Sequence, residues 1–212
     1  MLLRKLSKQT DLESCGQEQT PGGLLRYQDG EVDYLRHTRR ICLRIAVFSL
    51  LPSSGTNVTE TLWIGTDGGG LARLTLGGWR SFTTSNGLPV NSVYCIFETQ
   101  DSSGTAMWFG TYGGGLARLH DGQWTIFDRS SGMPDNTVFE MLETTLDDGK
   151  RVLWAGMKGG GLTRFENGRW VKGEIENAFG EATVRSMLAT TDEDGSRVDL
   201  GGKWRSWFRD VY

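Results

Sequence analysis

Three side chains of different chemistry occupy one position of a repeated pattern, each directly before a run of three glycines: Asp67, Tyr112 and Lys158. A second repeated loop carries Asp135 where the preceding repeat has Val90. An acid, an aromatic ring and a base around one opening would suit a sugar, by stacking combined with polar contacts. We therefore take Asp67, Tyr112, Lys158 and Asp135 as candidate ligand-binding residues. The alternative is that they are unconstrained loop positions.

Catalytic or metal chemistry has little support in the sequence. The two histidines, His37 and His120, are isolated and make neither a metal site nor a catalytic dyad, and His120 is expected to be solvated in a hairpin turn. The three cysteines, Cys15, Cys42 and Cys95, are odd in number and widely spaced, which favours neither disulfides nor zinc. Cys95 lies in an apolar run and is expected to be buried. We predict no enzyme activity, no metal and no cofactor.

Composition excludes several further classes of protein. The 212 residues carry a formal net charge of −3, from 23 basic and 26 acidic side chains, which gives no support to nucleic-acid binding. No apolar run reaches the roughly 18 residues that a membrane helix needs. The first residues also lack the apolar region of a signal peptide. The sequence as written predicts a soluble, cytoplasmic protein without a membrane segment.

A repeat of about 45 residues positions the candidate residues. Two sets of tryptophans recur with spacings of 45 and 46 residues. The first set is Trp63, Trp108 and Trp154, and the second is Trp79, Trp124 and Trp170. A triple glycine lies between the two tryptophans of each unit. Self-similarity at this period is typical of repeat architectures, whose units share one continuous core.

One unit, residues 87–131, contains four short apolar runs separated by turn residues. They are Val93 to Glu98, Ala106 to Thr111, Leu116 to Leu119 and Trp124 to Phe127. Short strands joined by hairpin turns predict four antiparallel strands per unit. The first run has no polar alternation and is expected to be buried on both faces, whereas the last is expected to be exposed. A radial array of such sheets is a β-propeller.

The fold class that follows is all-β, a propeller of four-stranded antiparallel blades. Complete blades are predicted at 41–86, 87–131 and 132–177, with a half blade at 21–40, a degenerate or truncated blade at 178–212, and a poorly ordered N-terminus at 1–20. This makes four or five blades. A four-bladed ring closes if the N-terminal strands complete the blade whose inner strand contains Val184. Otherwise the chain is an open arc, and its exposed edges favour self-association.

Residues that recur unchanged in every unit are interpreted as structural. Gly70, Gly115 and Gly161 end the three glycine turns, where a positive φ is useful. An arginine follows each turn at the same distance and is expected to make surface or inter-blade contacts. The four members of this series are Arg26, Arg73, Arg118 and Arg164.

The motifs LWIGTDGGGLARL, MWFGTYGGGLARL and LWAGMKGGGLTRF, with GLPVNSVYCI and GMPDNTVFEM, resemble the two-component regulator propeller repeats. The resemblance implies a bacterial ligand-sensing propeller, usually seven-bladed and periplasmic, followed by a membrane helix and a signalling output domain. It also implies polysaccharide breakdown products as ligands. This sequence has too few blades, and no signal peptide, membrane helix or output domain is recognised in it. We therefore expect a non-catalytic sensor module that binds an oligosaccharide or another small molecule. Two alternatives stay open: a truncated product of a larger sensor, and a scaffold for protein–protein interaction.

Overall fold

A computed structural model describes residues 25–28, 31–34, 46–53, 61–101, 103–145, 149–172, 177 and 179–189. These residues form three four-stranded antiparallel sheets and one two-stranded sheet. The strands are β1 (Leu25–Gln28), β2 (Glu31–Tyr34), β3 (Val47–Ser53), β4 (Thr61–Thr66), β5 (Leu71–Thr75), β6 (Gly78–Phe82), β7 (Val93–Asp101), β8 (Gly104–Thr111), β9 (Leu116–His120), β10 (Gln123–Phe127), β11 (Val138–Thr145), β12 (Arg151–Met157), β13 (Leu162–Glu166) and β14 (Arg169–Val171). A short 3-10 helix, Arg129–Ser131, follows β10.

The three large sheets are the blades of a propeller, which confirms the all-β class. Blade 1 is β3–β6, blade 2 is β7–β10 and blade 3 is β11–β14, each with its strands in sequence order. The first strand of blade 2, β7, contacts the first strands of both neighbouring blades. The blades are therefore arranged side by side around their inner strands. No helix in the described part of the chain is long and apolar enough to span a bilayer.

Burial within a blade differs from the expectation in one respect. The second strand is the most buried, since the last six residues of β8 and of β12 are all buried. The first strand, β7, has only two buried residues among nine, so the prediction that it is buried on both faces is wrong. The second strand is covered by a neighbouring blade, whereas the first strand is the innermost strand of its blade. The last strands are the more exposed ones, as expected.

The hydrophobic core lies between blades, which explains the repeated tryptophans. Trp63 of β4 contacts Phe109 of β8 with ring centroids 5.3 Å apart. Trp108 of β8 contacts Phe165 of β13 in the same way, at 5.1 Å. Trp154 of β12 packs against the segment that follows blade 3. Each blade thus covers the second strand of the blade before it, and no blade has a complete core alone.

A glycine in each second strand lets the next blade approach. A Cβ added at Gly110 would lie 3.0 Å from the carbonyl oxygen of Val138, and one at Gly156 would lie 2.9 Å from that of Val184. Val93 occupies the corresponding place next to Gly65. The glycine of the LW-x-G motif therefore has a packing role, because any side chain would push the following inner strand away.

Residues 182–189 continue the series of inner strands. The Val184 N–H donates to the Met157 carbonyl at 2.9 Å, and the side chain of Val184 is buried. The segment has no sheet partner among the described residues. Its buried valine lies where the inner strand of a further blade would begin, and the degenerate or truncated blade at 178–212 stays a prediction. Self-association through this edge stays a prediction.

The predicted boundaries at the two ends of the chain are not tested. Strands β1 and β2 form a hairpin whose sheet contains only these two strands. A hairpin here agrees with the outer half of a blade, but closure of a four-bladed ring through it stays a prediction. Residues 1–20 and 190–212 lie outside the described residues.

Candidate functional site

The two kinds of variable loop meet at one end of the blades, as predicted. The Gly70 N–H donates to the Asn91 carbonyl at 2.7 Å, and the Gly115 N–H donates to the Asn136 carbonyl at 2.6 Å. The Gly161 N–H makes the same contact with Ala182, at 2.9 Å. Each glycine turn is therefore tied to the loop that enters the next blade. Residues in the two loop types share one surface, which we call the loop face.

Gly115 shows why these turns need glycine. Its φ is +83°, and an added Cβ would lie 2.1 Å from the Phe127 carbonyl oxygen. A non-glycine residue would meet both backbone strain and a collision with the end of β10. The structural interpretation of the repeated glycines is consistent with this geometry.

Two of the four candidate residues form a direct pair across a blade boundary. The Lys158 ammonium donates to the Tyr112 hydroxyl at 2.8 Å and lies 4.9 Å from the centre of its ring. Tyr112 follows β8 and Lys158 follows β12, so the two residues belong to successive blades. Tyr112 keeps 43% of its surface exposed. The pair offers an aromatic face beside a positive charge.

Asp135 lies near this pair but is already engaged. Its Oδ2 accepts from Arg129 at 2.7 Å, and its Oδ1 accepts from the Thr137 backbone N–H at 2.7 Å. The pKa of Lys158 is raised, mainly by the hydrogen bond to Tyr112, with Asp135 contributing less. Asp135 therefore adds to the local field, and Arg129 offsets much of its charge.

Asp67 is placed one blade away from the pair. Its Oδ1 accepts from the Ser92 hydroxyl at 2.8 Å, and Ser92 Oγ accepts from the Gly68 N–H at 3.0 Å. The carbonyl of Ser92 in turn accepts from the Tyr112 N–H at 3.0 Å. Asp67 therefore stabilises the loop at Ser92, and the backbone of Tyr112 is hydrogen-bonded to the same loop. The structure brings Tyr112 and Lys158 into contact, places Asp135 close enough to act on the charge of Lys158, and pairs Asp67 with Ser92 one blade away.

Sequence reasoning missed a row of residues beside the pair. Each first strand pairs with its second strand through a β-bulge, because one residue is extra in the register. The extra residues are Phe48, Tyr94 and Phe139. Arg185 follows Val184 as Tyr94 follows Val93, so it is the equivalent residue of the next inner strand. We call Phe48, Tyr94, Phe139 and Arg185 the inner-strand strip.

The side chains of the inner-strand strip contact one another in order. Tyr94 lies with its ring centroid 4.4 Å from Phe48 and 5.6 Å from Phe139. The guanidinium of Arg185 lies 4.5 Å from the centre of the Phe139 ring. Tyr94 also stacks on Tyr112 at 5.4 Å, which joins the strip to the Tyr112–Lys158 pair. The result is a row of contacting aromatic rings bordered by two cations, in which Phe48 and Tyr112 are exposed and Phe139 is buried.

The repeat contains a signal for the aromatic residues of the inner-strand strip. Aromatic residues directly follow Val47, Val93 and Val138 in the sequence. The β-bulge at each of these positions changes the direction of the side chain, so the ring does not follow the regular alternation of the strand.

Glu140 follows the strip residue Phe139 and gives a pH-dependent prediction. Burial raises the pKa of Glu140, so the folded protein binds this proton more tightly than the unfolded chain does. Stability is therefore lost as pH rises from the ordinary glutamate pKa through the raised value. Glu140→Gln should increase the free energy of unfolding at pH 7 by less than about 1 kcal/mol, since this half-exposed group is screened.

The gain from Glu140→Gln should disappear below about pH 4, where glutamate is protonated in both states. Urea unfolding of both proteins at pH 7 and at pH 4 measures the difference in the free energy of unfolding. Glu143→Gln is the control, because Glu143 pairs with Arg151 and its loss should not stabilise the protein. An equal gain at both pH values would contradict the prediction.

The other residues weighed for chemistry have structural surroundings. Cys95 is 8% exposed, and burial raises the pKa of its thiol to about 12, so it is a buried apolar residue as expected. His120 ends β9 and lies 3.4 Å from the Ser103 hydroxyl, with 22% of its side chain exposed, so it is less solvated than predicted. His37, Cys15 and Cys42 lie outside the described residues. Within the described residues, no group of three or more potential ligands could hold a metal ion.

The repeated arginines contact their own blade. Arg73 lies over the ring of Trp63 at 5.4 Å, and Arg118 lies over Trp108 at 5.3 Å. In both cases the arginine and the tryptophan are directly opposite across the second and third strands. Arg164 has the equivalent register and an ion pair with Glu166 at 3.5 Å. These cation–π contacts within a blade account for the arginine of the repeat.

Four-stranded blades whose cores are shared with their neighbours define this chain as a β-propeller repeat protein. Residues 87–113 match the family described as Two component regulator propeller. That segment contains the loop entering blade 2, β7, β8 and the start of the glycine turn. The resemblance drawn from the tryptophan and glycine motifs is confirmed.

One solved structure supports the same fold. The extracellular domain of the hybrid two component system BT4673 from B. thetaiotaomicron is 18% identical, with a TM-score of 0.54. The alignment covers 82% of this chain and 25% of that one, so the chain spans about a quarter of the length of that structure. A second structure, described as the extracellular domain of the one component system BT4673, is 16% identical with a TM-score of 0.40, over 73% of this chain and 28% of that one. No curated protein matches the chain.

Proposed function

We propose that this chain is a non-catalytic, ligand-sensing propeller module that binds an oligosaccharide on its loop face. The observation that carries the proposal is the row of aromatic rings that runs from the exposed Phe48 through Tyr94 to the exposed Tyr112 and its partner Lys158. A sugar ring presents an apolar C–H face and a polar rim. Aromatic rings beside hydrogen-bonding groups match both.

The state of the two candidate carboxylates supports a binding role over catalysis. Asp135 accepts from Arg129, and Asp67 accepts from Ser92. Acid–base catalysis of glycoside hydrolysis needs two carboxyl groups flanking one bond. Here each carboxylate is held by its own partner in a different loop.

The solved relative supports a sensor role and a location outside the cytoplasm. The BT4673 domain is described as the extracellular part of a two component system. We extend this placement to the present chain as part of the proposal, in place of the cytoplasmic expectation.

The scaffold alternative has less support. Large exposed apolar residues outside the loop face belong to separate elements: Leu50 lies in β3, Leu76 in the β5–β6 turn, Ile126 in β10 and Leu188 in the last described segment. A protein-binding surface would ordinarily present a contiguous apolar patch.

Calorimetric titration with a panel of neutral and acidic oligosaccharides tests the proposal. We expect binding that Tyr112→Ala and Phe48→Ala each weaken by about fivefold or more, since loss of an aromatic contact is worth about 1 kcal/mol or more. Both residues are 43% exposed, so neither change should unfold the protein.

Leu76→Ala is the matched control for this titration. Leu76 is 61% exposed but lies in the turn at the other end of blade 1, so its replacement should leave affinity unchanged. Absence of binding by any member of the panel would overturn the proposed function.

A further inference from the structure

We propose that the ligand of the loop face is an anionic saccharide, with a uronic acid carboxylate held between Lys158 and Arg185. The sugar ring would lie on the aromatic surface formed by Tyr94 and Tyr112. This inference rests on the proposed function and narrows the class of ligand. Neither Arg185 nor the three bulge residues is distinguished by the sequence motifs.

The first argument is the geometry of the two cations. Lys158 and Arg185 both lie over aromatic rings, at 4.9 Å and 4.5 Å from the ring centres. The rings Tyr112 and Phe139 both contact Tyr94, so the two cations border one aromatic surface. The two residues come from the end of β12 and from the inner segment after blade 3. The charge of Arg185 also acts to lower the pKa of Lys158, so the two cations interact with each other across the boundary between successive units. We place one small anion between them.

The second argument is the number of hydrogen-bond donors. An ammonium group has three N–H donors and a guanidinium has five, and neither has an acceptor. Tyr112 takes one donor of Lys158. A guanidinium stacked on a ring keeps its N–H edges directed outward in its own plane. Carboxylate oxygens are acceptors only, and their charge-assisted hydrogen bonds are stronger than those of a neutral hydroxyl.

The third argument is the balance of charge around the site. Asp135 is the carboxylate nearest to Lys158 among the candidate residues, and Arg129 pairs with it at 2.7 Å. Lys158 and Arg185 therefore contribute positive charge that Asp135, itself paired with Arg129, offsets only in part. The whole chain has a net charge of −3, which disfavours long polyanions such as nucleic acids. A locally positive patch on an acidic protein suits a ligand with one or a few carboxylates.

The experiment compares acidic oligosaccharides with their own carboxyl-reduced forms. Reduction converts each carboxylate to a hydroxymethyl group and leaves the linkages and ring faces unchanged. Oligogalacturonate, oligoalginate and glucuronate-containing disaccharides, each with its reduced counterpart, are titrated into the full chain by calorimetry. We expect at least one acid to bind about tenfold or more tightly than its reduced form, because charge-assisted hydrogen bonds are lost on reduction.

Two substitutions test the assigned residues. Lys158→Met and Arg185→Gln should each weaken binding of the acid about tenfold and leave binding of the reduced form unchanged. Arg80→Gln is the matched control, because Arg80 is also exposed and lies over an aromatic ring, Phe82 at 5.0 Å, but on the last strand of blade 1. The affinity for the acid should also fall as salt is added.

The outcomes separate the inference from the proposed function. Acid selectivity that Lys158→Met and Arg185→Gln remove supports both. Equal binding of acid and reduced forms, still weakened by Tyr112→Ala, overturns the anionic ligand and leaves the sensor proposal standing. Acid selectivity that neither cation variant changes overturns the assigned site. Absence of binding by every acid and every reduced form overturns both proposals.

Discussion

Trp108→Ala should lower the free energy of unfolding by about 3–5 kcal/mol, the usual cost of emptying a buried aromatic position. Trp108 is 2% exposed and contacts Phe127 in its own blade, at 5.8 Å between ring centroids. It also contacts Phe165 and Trp170 of blade 3, at 5.1 and 6.0 Å. The cavity would therefore open between two blades, and both would lose stability. Because domains are stable by only about 5–15 kcal/mol, much of the native state would be lost.

Urea unfolding followed by tryptophan fluorescence and circular dichroism measures the effect. The indole Nε1 also donates to the Thr99 hydroxyl at 2.9 Å, so the substitution leaves that hydroxyl without this partner. Ile126→Ala is the control, because Ile126 lies in β10 with 37% of its surface exposed. A loss for Trp108→Ala no larger than that for Ile126→Ala would contradict the idea that the core lies between blades.

Gly156→Ala should detach the inner segment 182–189 from blade 3, at a cost of about 1–3 kcal/mol, the range for overpacking. The added methyl group would lie 2.8 Å from a side-chain carbon of Val184 and 2.9 Å from its carbonyl oxygen. The backbone oxygen cannot turn aside as a flexible side chain can. The segment would have to move outward, and the hydrogen bond from Val184 to Met157 would break.

Hydrogen exchange locates this change in the chain. We expect faster exchange in residues 182–189 and near-normal protection in β7 and β8, because local openings need not involve the whole molecule. Gly77→Ala is the matched control, since its added Cβ meets only Thr75 Oγ1 at 3.6 Å, an ordinary contact. Protection of 182–189 equal to that of the unsubstituted protein would rule out the close approach. Loss of the segment would also remove Arg185 from the loop face.

The architecture could be predicted from the repeat because its signals are local. A strand boundary depends on turn residues such as the Asp121–Gly122 pair and the glycine run ending at Gly115, which act within a few positions. Gly115 has the required positive φ, and Asp121 and Gly122 both lie at positive φ in the β9–β10 turn. Trp63, Trp108 and Trp154 could be placed at equivalent positions for the same reason, because a fixed period maps to equivalent places in every blade.

The burial of the first strand could not be predicted because it depends on the number of blades present. An apolar run such as Val93 to Glu98 predicts a strand that is buried on both faces, because it lacks alternating polar residues. In the structure β7 is the innermost strand of its blade, and only Val93 and Cys95 in it are buried. The sequence of the strand itself does not specify which residues pack against its inner face.

The candidate site was partly predictable. Tyr112 and Lys158 stand out because they vary inside a fixed motif, and the structure brings them together at 2.8 Å. The aromatic residues of the inner-strand strip do not vary in type, so a search for variable positions does not find them. A β-bulge at each of these positions re-aims the side chain, and a bulge depends on pairing between strands.

By itself, the sequence determined the blade: four antiparallel strands, the glycine turn, and the tryptophan that needs a neighbour to cover it. Those features follow from local backbone preferences and from a period that repeats them. Only the tertiary structure decided which side chains meet on the loop face. Tyr94, Tyr112, Lys158 and Arg185 lie far apart along the chain. They come together because successive blades pack at Gly110 and Gly156, where the absence of a side chain lets the next inner strand approach.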